Sequence, residues 1–383
     1  MSRSLWHRVA APALLLALAA LAAGCGVKKA NTIRIGEFAS LTGDTATFGI
    51  STRNGIELAA QEINAAGGVL GKQVEVLVED NRSQTTEAAT AVTRLINQYG
   101  VVAVLGEVAS SRSLAGAPIC QRNRIPMITP ASTNPAVTQV GDYIFRICFI
   151  DPFQGTVMAR FAFNTLKARK VAVLFDKSQD YSTGLADFFR EEFERLGGKI
   201  TTESSYSSVS GDIDFKAQLT GIRAKAPDAV FVPGYYNQVG MIAKQSREIG
   251  ITVPLLGGDG WDSPKLVEIG GKALEGDYFS NHYSVENKSP HVQAFITKYR
   301  RAYGDAPDAM AALGYDSARI LCDAIRRAGS TEAQAIRDAI AQTSGFEGVT
   351  GTITLNAERN AVKPAVVLQV KDGRFRYVET VQP

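Results

Sequence analysis

The feature that most limits what this chain can fold into is a repeated alternation of short apolar, β-rich runs with longer amphipathic ones. Runs at 33–38, 74–79, 101–106 and 126–129 read as buried strands, and 55–65, 85–98 and 111–122 carry apolar residues at helical spacing. The same order restarts further on. Strands are expected at 170–175, 199–203, 229–233 and 253–257, with helices at 183–196, 214–224 and 238–249 between them. Strand, helix, strand in series builds a parallel sheet with helices on both faces. The expectation is an α/β fold of two doubly wound units, and 383 residues are enough to give each its own core. Two units imply a cleft between them. After residue 290 the pattern changes to three long helices (290–303, 309–328, 331–342). Strands then follow at 351–355, 365–370 and 374–379, the last two joined by the hairpin turn Lys371-Asp372-Gly373.

Charge and motif content remove several functions. The balance of 41 basic against 38 acidic residues gives no footprint for nucleic acid or for an anionic membrane surface. The histidines, His7, His282 and His291, are too scattered for a zinc site, so neither metal nor cofactor is expected. A phosphate-binding loop fails around Lys72, where Ala66 replaces the first glycine and Gln73 the hydroxyl. There is no G-x-S-x-G elbow, and neither His282 nor His291 sits in a triad context. Catalysis is not expected.

The first residues speak to compartment. Arg3, His7 and Arg8 precede an apolar run at 9–23 that closes on Leu21-Ala22-Ala23-Gly24-Cys25, the layout of a secretory signal. The run is shorter than the roughly 20 residues that span a bilayer as a helix. Residues 21–25 also resemble a bacterial lipobox in which Cys25 is lipidated, with Ala22 where such boxes favour leucine. Export would put Cys120, Cys148 and Cys322 in an oxidising compartment. The order of elements favours a Cys120–Cys148 disulfide, leaving Cys322 as a small hydrophobe on the helix at 316–328.

In open α/β sheets ligands bind beyond the carboxyl ends of strands, where helix N-termini present free N–H groups. Two such junctions here are rich in hydroxyls. One contains Ala109, Ser110 and Ser111; the other contains Ala131, Ser132, Thr133 and Asn134. Each offers backbone N–H and hydroxyl groups to an oxyanion, although Ser110 and Thr133 equally suit helix N-caps.

Arg53-Asn54-Gly55-Ile56-Glu57-Leu58-Ala59, the run Glu62-Ile63-Asn64-Ala65-Ala66-Gly67-Gly68 and residues 76–80 resemble the first βαβ unit of the periplasmic branched-chain amino acid binding proteins. Ala131-Ser132-Thr133-Asn134-Pro135, Gly234-Tyr235-Tyr236, Gly257-Gly258-Asp259-Gly260 and Leu313-Gly314-Tyr315-Asp316 extend the resemblance across 31–383. It implies the type I periplasmic binding protein fold, two Rossmann-like lobes joined by three hinge crossovers. The lobes would be 31–151 with 284–355 and 152–283 with 356–383, after a signal peptide at 1–24 and a lipidated tether at 25–32. It also implies a monomer in the periplasm or cell envelope, lipid-anchored to a membrane. Such a protein captures an amino acid, above all a branched-chain one, by hinge closure and delivers it to an ABC permease.

By the same resemblance Ser110, the backbone of Ala131 and Thr133 hold the ligand carboxylate, with Ala109 and Ser132 in the same two loops. Asp259 takes the ammonium, and Phe48, Tyr181 and Tyr235 wall the side-chain pocket. Phe48 and Tyr181 also suit core packing and Asp259 suits a turn. Met310 stands where many relatives carry an aromatic, which softens that wall. Elementary electrostatics points the same way, because each ligand charge buried in a closed cleft needs a fixed partner. A sugar would favour stacked tryptophans, and only Trp6 and Trp261 exist. An amide, urea or aromatic acid in the same fold is the alternative. A ligand sensor for a membrane receptor is another, and would be expected to continue into a membrane or effector segment after Pro383.

Overall fold

The computed structural model describes residues 32–383, so the signal segment, the tether and Cys25 lie outside the described residues. The chain begins β1 (Thr32–Ala39), α1 (Ala46–Ala65), β2 (Gln73–Asp80), α2 (Thr85–Asn97), β3 (Ala103–Leu105), α3 (Ser110–Asn123), β4 (Met127–Thr129), α4 (Ala136–Gln139) and β5 (Ile144–Arg146). These strands form one sheet in the order β2-β1-β3-β4-β5. β1 with β3, β3 with β4 and β4 with β5 pair in parallel. Every residue of β3, β4 and β5 is buried, as expected of parallel strands covered on both faces.

A second series follows: α5 (Asp151–Arg160), β6 (Lys170–Asp176), α6 (Asp180–Arg195), β7 (Lys199–Tyr206), α7 (Lys216–Ala224), β8 (Ala229–Phe231), α8 (Tyr236–Glu248), β9 (Leu255–Gly257), α9 (Pro264–Gly270) and β10 (Tyr278–Asn281). The helices α10 (Pro290–Tyr303), α11 (Ala309–Ala328) and α12 (Ala333–Ala341) come next, and α11 lies along α1. Two glycines let those helices touch backbone to backbone. A Cβ on Gly55 would sit 2.0 Å from Ala311 O, and one on Gly314 would sit 2.3 Å from Thr52 O. A small antiparallel sheet of β11 (Phe346–Gly348), β12 (Gly351–Leu355) and β13 (Ala361–Val362) precedes β14 (Ala365–Lys371) and β15 (Arg374–Val381).

The second sheet runs β15-β14-β10-β9-β8-β6-β7. It is parallel from β7 to β10, while β14 pairs antiparallel with both β10 and β15. The hairpin turn is as expected, with Asp372 and Gly373 both at positive φ (52° and 65°). α1 starts nine residues before the periodic run at 55–65, since 46–54 is rich in Gly, Ser and Thr and becomes helical because Phe48, Gly49 and Thr52 are buried. α5 and β10 were not expected; β10, of four residues, is too short to show a period.

The Cys120–Cys148 disulfide is overturned: Cys120, Cys148 and Cys322 are all free and buried. Cys120, on α3, packs with Phe38, Val92 and Met127, whereas Cys148 belongs to the other core with Phe145 and Phe149. The Cys148 thiol instead donates to Ser132 O at 3.3 Å. Burial pushes the Cys120 thiol well above its ordinary value and that of Cys148 up to about 12, as for small apolar side chains. Among the described residues no helix is long and apolar enough to cross a membrane.

Candidate functional site

The carboxyl ends of both sheets converge on one small pocket. Phe48, Val108 and Ala131 line it from the first sheet's loops, Tyr181, Tyr235, Asp259 and Gly260 from the second's, and Met310 from α11. Five of the expected residues, Phe48, Ala131, Tyr181, Tyr235 and Asp259, therefore meet here.

Buried charges set behind the wall hold the first sheet's loops. Glu107 Oε1 accepts from Ser40 N (3.1 Å), Ser40 Oγ (2.7 Å) and Asn81 Nδ2 (3.0 Å), and Glu107 Oε2 accepts from Ala109 N (2.5 Å). Arg112 Nε lies 3.1 Å from Glu107 Oε1. Arg146, fully buried at the end of β5, donates to Ser132 O (2.6 Å), Asn134 O (2.8 Å) and Asn360 Oδ1 (2.6 Å), so its guanidinium clamps the 132–135 loop. Burial lowers the Arg146 pKa from its ordinary value.

Neither expected N-cap forms. Ala109 is the N-cap of α3 and Pro135 that of α4, with no side-chain cap bond at either. Ser110 Oγ accepts from Asn134 N at 3.3 Å, which ties the two loops together. Thr133 Oγ1 is buried with no hydrogen-bond partner among the described residues. Ser132 is placed differently: its hydroxyl donates to Glu107 O (2.9 Å) and Val108 O (3.0 Å) and lies 2.7 Å from Ser113 Oγ, so it braces the loops and is not among the lining residues. Val108, not Ala109, lines the cavity in the first loop.

The aromatic wall comes from three helix starts. Tyr181 stacks on Tyr235 with centroids 5.2 Å apart and planes 7° from parallel. Phe48 meets the edge of Tyr235 at 5.7 Å. Tyr235 OH is buried and unpartnered among the described residues. Gly260 fits because a Cβ there would come within 3.0 Å of both tyrosine rings.

Asp259 is 3% exposed and held from two sides. Tyr181 OH donates to its Oδ1 at 2.9 Å, and His282 Nε2 lies 2.9 Å from its Oδ2. Its backbone N–H donates to Gln154 Oε1 at 2.8 Å, an oxygen that also accepts from Ser280 Oγ at 2.9 Å. Gln154 Nε2 in turn donates to Asp151 Oδ1 at 3.3 Å. Burial pushes the Asp151 carboxyl up to about 8. Asp151, Gln154 and His282 were missed by sequence reasoning. Asp151-Pro152 is a helix-start signal, but nothing local shows that this helix begins at the cleft. The strand-end rule would have flagged His282 had β10, only four residues long, been visible.

The rims around the cavity touch. Asn134 Nδ2 donates to Asp180 O (2.8 Å), Asp180 N to Ser111 Oγ (2.9 Å) and Asn237 Nδ2 to Asp44 O (2.5 Å). A buried carboxylate among aromatic and apolar side chains at the meeting of the strand ends suits a ligand with a cationic group and an apolar tail.

A fold of two α/β sheets with a closed site between their strand ends is that of a solute-binding protein, and the periplasmic binding protein model matches residues 32–374. The chain belongs to that family, among the branched-chain amino acid substrate-binding proteins of ABC transporters. It is 30% identical over 367 residues to the Leu/Ile/Val-binding protein homolog 3 of Brucella melitensis, covering 94% of this chain and 98% of that one. Its structure is similar to the leucine-binding protein LivK of Thermotoga maritima (43% identity, TM-score 0.88, 92% of this chain and 99% of that one). It is also similar to LivJ of Streptococcus pneumoniae in complex with isoleucine (37% identity, TM-score 0.87, 92% and 100%). These relatives are substrate-binding proteins, not enzymes.

Proposed function

We propose that this protein captures an amino acid with an aliphatic side chain, leucine, isoleucine or valine, between its two sheets and hands it to an ABC permease. The single observation that carries this reading is the lining of the pocket, where the buried Asp259 carboxylate stands among the apolar and aromatic side chains Phe48, Val108, Tyr181, Tyr235 and Met310. In this reading the loops holding Ser110, Ala131 and Thr133 receive the α-carboxylate. Asp259 neutralises the ammonium, and Phe48, Tyr181, Tyr235 and Met310 surround the tail. The relatives named for leucine and isoleucine support the same ligand class.

Closure follows from where the groups sit, since a ligand bonded to both walls stabilises the arrangement in which the rims meet. The chain passes between the sheets after β5, after β10 and before β14, and these passages serve as the hinge joining lobes 31–151 with 284–355 and 152–283 with 356–383. Lipidation at Cys25 would hold the monomer at the cell envelope beside its permease. Cys25→Ala then releases the protein or leaves its signal uncut, and wild-type protein lacking an acyl group refutes the anchor.

A thermal-shift screen of the twenty amino acids with simple amides and benzoate tests the ligand. A ligand at one hundred times its Kd stabilises the native state by about 2.7 kcal/mol. The expected result is a rise in Tm with leucine, isoleucine or valine. A rise only with an amide or aromatic acid would replace the amino-acid reading.

A further inference from the structure

His282 is built into the floor of the site. Its side chain has no solvent exposure, its ring stacks on Phe149 with centroids 3.8 Å apart, and Nε2 lies 2.9 Å from Asp259 Oδ2. Nδ1 has no partner among the described residues. A neutral imidazole with its proton on Nε2 satisfies this geometry: Nε2–H donates to the carboxylate, while Nδ1 carries only a lone pair. Tyr181 holds the other carboxylate oxygen, so Asp259 is fixed on both sides before any ligand arrives.

We propose that His282 is the positioning residue of the ammonium site, aiming Asp259 through its Nε2–H and, once protonated, cancelling the negative charge that holds the ligand, so that amino-acid binding weakens in acid. This rests on the reading of Asp259 as the ammonium's partner. Imidazolium and ammonium compete for one buried carboxylate, and the site cannot hold two cations against a single negative charge. The sign follows from linkage: the liganded form disfavours the proton on His282, so Kd rises as pH falls through the free protein's imidazole pKa. Burial, the larger influence, lowers that pKa from its ordinary value, while the bond to Asp259 opposes the shift.

The surrounding charged groups leave this window to few residues. Asp259 faces His282 from the loop after β9 and Lys363 from the segment before β14, with Asp316 behind Lys363. Cys148, beside the stacked Phe149, and Arg146 and Asp151 at either end of that segment complete the surroundings. Lys363 is pushed down to about 8 and Asp151 up to about 8, so one stays cationic and the other mostly neutral from pH 7 to pH 5. Cys148, pushed up to about 12, stays a thiol. Asp262, raised to about 6 by burial and bonded to Asn281 Nδ2, and Asp308, raised to about 7 by burial at the start of α11, are the competing groups in the window.

The test is calorimetric titration of the protein with leucine at pH 7 and pH 5, using wild type, His282→Gln and His282→Phe. Leucine keeps both charges throughout. Glutamine places an amide N–H near the Nε2 position but does not titrate, whereas phenylalanine keeps the stacking without the donor. The expected result is at least a fivefold loss of affinity on acidification for wild type and less than a twofold loss for His282→Gln, whatever its affinity at pH 7. At pH 7, His282→Gln should bind about tenfold tighter than His282→Phe, as for a hydrogen bond to a charged acceptor. A flat wild-type profile overturns the proposal. So does an equal acid loss in His282→Gln, which would assign the effect to the Asp262 and Asp308 pair. If no amino acid binds wild type at pH 7, the functional reading itself falls; binding with a flat profile removes only the role of His282. Should His282→Phe fail to fold, the glutamine variant's pH profile still decides.

Discussion

The two walls of the cavity handle charge in opposite ways. On the first sheet's side the charged groups, Glu107, Arg112 and Arg146, do not line the pocket: Glu107 and Arg146 bond loop backbone, and Arg112 pairs with Glu107. On the second sheet's side the charge itself is in front: Asp259 faces the cavity, with Tyr181 and His282 fixing both of its oxygens. Neutral N–H and hydroxyl groups near helix starts can receive an anion without a buried cation, but an ammonium in the same space needs a full negative charge. On the proposed reading, removing a group from one wall costs a hydrogen bond, while removing Asp259 costs the ligand's counter-ion.

That contrast sets the order of expected effects. Asp259→Ala leaves a buried cation unpaired, a cost of about 3–5 kcal/mol, so leucine affinity should fall a hundredfold or more in calorimetry. A loss under threefold would break the contrast. Thr133→Val removes one uncharged donor and should cost about tenfold by the same titration. A loss as large as that of Asp259→Ala would mean the first wall carries charge recognition too.

Away from the cavity, Glu37 on β1 is a buried acid whose two oxygens have no partner among the described residues, and burial pushes it up to about 8. A carboxyl raised in the fold binds its proton more tightly there than when unfolded, so its stability contribution is full below about pH 4.5 and is lost as pH rises through about 8. Glu37→Met should remove this slope. Wild type should melt several degrees below the variant at pH 8 and near it at pH 5, and the reverse order would refute the buried acid. The smallest effect is a reductant's. With Cys120, Cys148 and Cys322 free, dithiothreitol should leave Tm within about 1 °C, and a larger fall would show a disulfide.

Much of this was legible in the chain because strand ends and helix starts carry their own signals. The alternation of runs located most strands of both sheets, and the hydroxyl-rich junctions located the loops with Ala131 and Thr133. What stayed hidden depends on contacts distant in sequence. Ser132 looks like a ligand donor beside Thr133, but Ser113 and the 107–108 backbone, about twenty residues away, claim its hydroxyl. Asp151 and Gln154 lie at the start of a helix with almost no apolar period, and His282 follows a strand of four residues. The cysteine pairing failed for a similar reason: order along the chain places two residues near in sequence, not on the same face of a sheet.

The central claim is that one wall reads an anion and the other a cation at opposite ends of the same ligand. The most direct test is calorimetry on wild type with leucine, with its 2-keto acid, which lacks the ammonium, and with its amide, which lacks the carboxylate. The account predicts tight binding of leucine and at least a hundredfold weaker binding of the keto acid, because Asp259 is then buried without its partner, with the amide also weakened. Equal binding of leucine and the keto acid would contradict it.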